Sequence, residues 1–100
     1  MGQLFYGPSS EPFVIDDRTL AHIEIVVLAK LRRNESFALS LDGADAGRTT
    51  LWISSASTLQ LRFDEARHDI NRAWLDQLID SANTTAGMRI VPEPGAATAQ

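Results

Sequence analysis

Lys30, Arg32 and Arg33 gather three cations in four residues, the one concentrated positive charge in the chain, and Arg48 and Trp52 follow downstream. Ammonium and guanidinium groups hold phosphates and carboxylates by charge-assisted hydrogen bonds. An indole offers a base or an apolar side chain a surface to stack on. These five residues are the candidate contacts for an anion or a nucleic acid. A structural role competes for each of them. Cations in the last turn of a helix offset its dipole, worth about 0.3–1 kcal/mol apiece, and that explanation comes first for Lys30, Arg32 and Arg33. Trp52 reads equally as a partner anchor or as cover for a sheet face or helix end.

The remaining reactive residues do not converge. The chain has two histidines, His22 and His68, and no cysteine. Disulfides and thiolate metal sites are therefore excluded, and the core alone must hold the fold. No G-x-S-x-G elbow presents a serine nucleophile. Asp69 adjoins His68, but sequence neighbours do not normally face each other, and His68 reads as a solvated loop residue. His22 and Glu24 are two apart, so on a helix they diverge; on a strand they would share a face, and two ligands do not make a site. The loop from Asp42 to Asp45 lacks the ligand count and closing glutamate of a calcium loop. Gly43 and Gly47 share that loop without a following Gly-Lys-Ser/Thr. These residues give no pattern for a catalytic group, and neither a cofactor nor a metal is expected.

Composition narrows the partners. Nine basic and thirteen acidic residues give a net charge of -4, which argues against broad nonspecific binding to nucleic acid. With 44% hydrophobic and 22% charged residues the chain is ordinary globular material of one-domain size. The longest apolar run, Ile25 to Ala29, is too short to cross a membrane. The opening residues lack the pattern of a secretory signal, so a cytoplasmic location is expected.

The positioning elements can be read in order. Leu4–Tyr6 and Phe13–Ile15 are short strands around the turn-rich Gly7–Pro12. Asp16 or Asp17 caps a helix with Leu20, Ile23, Val27 and Leu31 on one face. Its β-branched run makes a strand over Ile23–Leu28 the competing reading. The acidic start, the basic end and Asn34 as a left-handed closing residue favour the helix. Strands through Phe37–Leu41, Thr49–Ile53 and Leu59–Phe63 then form a three-strand antiparallel meander. Asn71 caps a second helix, with Ile70 stapled to Leu75; Trp74, Leu75, Leu78, Ile79 and Ala82 form its apolar face, and Gly87 closes it. Met88–Val91 is a last strand. The prediction is an α+β domain over residues 1–94 of order ββαβββαβ, a mainly antiparallel sheet with both helices on one face, and a flexible tail over residues 95–100.

The stretches GQLFYG, IDDRTLAH, KLRRNESF, INRAWLDQL, SAN and IVPEP, in that order, resemble a small actinobacterial domain family of unknown function, of the type found in Microbacteriaceae. Members of that family are sometimes labelled ATP-dependent DNA ligase, so the resemblance implies a connection to DNA. Ligase activity would need a lysine in a Lys-x-Asp-Gly motif. Here the single lysine, Lys30, is followed by Leu31-Arg32-Arg33, and Asp42-Gly43 has no lysine before it. The reading is therefore a non-enzymatic interaction module that self-associates, a dimer being favoured. Its motivation is the surplus apolar surface of the first helix and the open strand edges. The alternative is a nucleic-acid-binding accessory protein without ligase activity of its own.

Overall fold

Asp16 caps the first helix: its carboxylate accepts the Thr19 N–H at 3.1 Å. The computed structural model, which describes residues 1–43 and 47–94, shows α1 over Asp17–Arg32 and α2 over Arg72–Ala82. The strands are β1 (Gly2–Tyr6), β2 (Phe13–Ile15), β3 (Phe37–Asp42), β4 (Arg48–Ile53), β5 (Leu59–Arg62) and β6 (Met88–Arg89). The α+β class and the order ββαβββαβ are as expected, and Ile23–Leu28 is helical. Asn34 takes φ +60°, with Glu35 N–H bonded to the Lys30 carbonyl and Asn34 N–H to that of Leu31. This paired closure satisfies carbonyls that a helix end leaves orphaned. The expected tail over 95–100 and most of the acidic loop after Asp42 lie outside the described residues.

The strands divide into two three-stranded sheets, ordered β2-β1-β5 and β4-β3-β6, where a single sheet was expected. The meander is broken at β5, which pairs antiparallel with β1 (Leu4 opposite Leu61, Tyr6 opposite Leu59) and not with β4. The turn between β4 and β5 gives the reason. Ser54 N–H donates to Ser57 Oγ, Ser57 N–H to the Ser54 carbonyl, and Ser57 Oγ–H to the Trp52 carbonyl. Tyr6 Oη–H donates to the same Trp52 carbonyl at 2.6 Å. These bonds occupy the end of the β4 edge and send the chain to the other sheet. The final strand runs parallel to β3, with Leu39 opposite Met88 and Ser40 opposite Arg89.

The core lies where the elements meet. α1 packs on β1 and on α2, and α2 packs on β3 and β6. Leu4, Leu20, Ile23, Val26, Leu39, Ile53, Leu78 and Met88 are fully buried. The apolar surplus of α1 is largely absorbed: Val26 and Val27 are buried, Ile25 is half-buried, and Leu28 stays 53% exposed. α2 ends at an Asn83 cap, four residues before Gly87, so Gly87 does not close the helix. It turns the chain into β6 at φ +85°.

Candidate binding face

The period of two along β4 sends Leu51 and Ile53 into the core and Arg48, Thr50 and Trp52 outward. Register then assembles a face. Ala38 stands opposite Trp52, Ser40 opposite Thr50 and Asp42 opposite Arg48 on β3, and Arg89 on β6 lies beside Ser40. The Ser40 and Thr50 hydroxyls share a hydrogen bond at 3.1 Å. The face therefore has a flat centre of small residues, an indole at one end and a charged border of Arg48, Asp42 and Arg89. Trp52 is 60% exposed.

Two grooves border this face. One, of about 440 Å³, is lined by Lys30, Glu35, Ala38, Trp52, Asn83 and Gly87 among others. The other, of about 240 Å³, lies among Ser40, Asp42, Arg48, Arg89 and Pro92. Of the five residues singled out from sequence, Lys30 and Trp52 thus share a groove. Arg48 shares the sheet face of Trp52, about 13 Å along the strand at 3.3 Å per residue. Arg33 borders a smaller adjoining groove with Lys30 and Glu35. Arg32 is exposed at the end of α1 and lines none of these grooves. Lys30 is already engaged: its ammonium donates to Asn83 Oδ1 and pairs with Glu35 at 3.4 Å. Arg89 escapes a reading of local sequence, because only the parallel pairing of β6 with β3 brings it to the groove that Arg48 also lines.

Both histidines are built into the fold. His22 is fully buried, its Nδ1 2.8 Å from the Arg18 carbonyl and its Nε2 accepting the Asn71 N–H at 2.9 Å. Those partners place the ring proton on Nδ1. Trp74 lies against the ring at 4.4 Å between centroids. Around them, Arg18 holds Glu93 through two bonds of 3.0 and 2.7 Å, and Asn71 Nδ2 donates to the same carboxylate. His68 is not the solvated residue expected from its loop sequence. Its Nε2 donates to Asp17 Oδ2 at 2.8 Å, leaving its side chain only 12% exposed. Asp17 Oδ1 accepts the Asp64 N–H and Oδ2 the Glu65 N–H, so one carboxylate at the start of α1 anchors the loop after β5. The contact spans 51 residues, a separation that local sequence does not bridge.

The Asp64 and Glu65 amides and His68 hold the Asp17 carboxyl at about 2, against an ordinary 3.8. Arg18 and Asn71 hold Glu93 at about 2, against 4.5. Both groups are depressed in the folded state, so the unfolded chain takes up their protons first as pH falls. Their contribution to stability is whole above about pH 4.5 and is lost on acidification toward pH 2. Urea midpoints measured from pH 6 to 2 should fall through that window. Asp17→Asn should lower the midpoint at pH 6 and flatten the slope; an unchanged slope would contradict the assignment.

Fold and face together define a small α+β domain with an exposed, aromatic-tipped sheet face. The chain belongs to the DUF7882 family, a domain of unknown function, whose model matches residues 1–93. No curated protein and no solved structure matches it.

Proposed function

We propose that this domain is a cytoplasmic, non-enzymatic interaction module that self-associates as a dimer through the outer face of β4-β3-β6. The observation that carries this reading is Trp52, a large aromatic left 60% exposed above the small side chains of Ala38 and Ser40. A two-fold pairing of this face is self-complementary. The indole of one copy covers the flat centre of the other, and Asp42 of each meets the arginines Arg48 and Arg89 of its mate. On α1 the exposed apolar surface comes down to Leu28, with Val26 and Val27 buried, so the sheet face is the better interface. Size-exclusion chromatography with light scattering on the tag-free chain should give a dimer. Trp52→Ala should raise its dissociation constant roughly thirtyfold, the loss of about 2 kcal/mol expected of an interface hot spot. A strict monomer at high concentration defeats the reading.

The second reading is an accessory protein that binds single-stranded nucleic acid. It is favoured by the placement of Arg48 and Arg89 on the Trp52 face, where bases could stack and phosphates pair, with Lys30 in the groove beside Trp52. The resemblance to a family with ligase-labelled members points the same way. Fluorescence anisotropy with a labelled oligonucleotide separates the two. Salt-sensitive binding lost in Arg48→Ala supports this reading, and no binding at low salt removes it.

A further inference from the structure

Asp17, Glu65 and His68 each offer one ligand atom, and these atoms lie within 4.8 Å of one another. We propose that this cluster is a binding site for a divalent transition-metal ion of the zinc type, separate from the Trp52 face. The donor set is two carboxylates and one imidazole nitrogen. Zinc accepts that mixture, whereas calcium and magnesium favour oxygen alone. The two carboxylates balance the charge of the dication.

The supporting atoms are already in place. Asp17 is buried, and both its oxygens are oriented by backbone N–H groups of the loop that carries the other two ligands. Hydrogen bonds of this kind fix a ligating carboxylate and are half of a metal site's design. Asp17 Oδ2 and His68 Nε2 stand 2.8 Å apart. Zinc bonds of 2.0–2.2 Å at tetrahedral angles set ligand edges of about 3.3–3.5 Å, so a metal takes the place of the shared proton when this pair opens by roughly half an ångström. That proton moves to His68 Nδ1, which leaves Nε2 free to ligate. The Glu65 carboxylate is exposed and makes no hydrogen bond or ion pair among the described residues, so it can close on the ion. Water completes the coordination. Phe63, 6.3 Å from the His68 ring between centroids, shields one side.

The three positions lie in α1 and in the loop after β5, and Glu65 and His68 join Asp17 only because β5 returns beside β1. The test is calorimetric titration of the tag-free, chelator-treated chain with zinc chloride, alongside cobalt(II) absorption. Saturable binding of one zinc per chain is expected, with visible cobalt bands that zinc displaces. Glu65→Gln should weaken zinc binding at least about tenfold while leaving the metal-free melting temperature unchanged, since this carboxylate has no folding partner to lose. His68→Ala should abolish the cobalt bands; should that variant fail to fold, Glu65→Gln still decides. Absence of saturable zinc binding overturns the proposal. So does equal affinity in Glu65→Gln, or magnesium binding as tight as zinc, either of which would show only an acidic surface.

Discussion

Replacing Gly87 with alanine is expected to lower the unfolding free energy by about 2–5 kcal/mol. Two costs add. At φ +85° a Cβ clashes with its own backbone, worth about 1–2 kcal/mol. The new Cβ would also lie 2.7 Å from Ala38 Cβ and 2.8 Å from the Ala38 carbonyl oxygen. Ala38 is on the central strand of its sheet, held by β4 on one side and β6 on the other, so its backbone cannot retreat without breaking a ladder. Gly7→Ala provides the control. Gly7 has a similar φ of +63° with open space where its Cβ would stand, so it should lose only the conformational share. For a domain of this size each kcal/mol shifts the melting temperature by roughly 4–8 °C. Equal losses in the two variants would refute the close approach of the α2–β6 turn to β3.

Trp74→Ala should cost about 3–5 kcal/mol, the range for deleting a large buried aromatic. The side chain is only 3% exposed, its face lies against His22, and its Nε1–H donates to the Val91 carbonyl at 2.8 Å. It therefore joins α2, α1 and the C-terminal segment at one point. Trp74→Phe separates the parts. An aromatic ring is retained, while the indole hydrogen bond and the volume of the second ring are lost, for about 1–3 kcal/mol. Urea unfolding followed by circular dichroism measures both, and a constant m-value would show that only stability changed. In both variants Trp52 is the remaining indole, so emission should report an exposed tryptophan in the folded state. A loss below 1 kcal/mol in Trp74→Ala would show that this junction is not where the elements are tied.

Local order was legible in the residues because its causes are local. Asp16 and Asn71 cap helices through amides three residues away, Asn34 closes α1 by adopting a left-handed backbone, and alternation along β3 and β4 sorts core from surface. The same alternation set Trp52 opposite in sense to Leu51 and Ile53, while Arg48 joined its face only because β4 begins one residue earlier than the alternation shows. Strand pairing was not legible. Leu59 and Leu61 suit β4 or β1 equally, and the choice rests on side-chain hydrogen bonds at the β4–β5 turn and on Tyr6, 46 residues from Trp52.

The same limit governs the sites. Types and spacing by themselves determined an α+β domain with its order of elements, its cysteine-free core and the placement of Trp52 on the strand face opposite Leu51 and Ile53. Only tertiary structure decided that the strands form two sheets, that Arg89 shares a groove with Arg48, that Lys30 is tied to Asn83 and Glu35, and that His68 is held by Asp17 and not left to solvent. Helix caps and strand alternation come from neighbours within a few residues. Contacts between distant segments depend on which surfaces bury most completely together, a property of the whole chain that no short stretch contains.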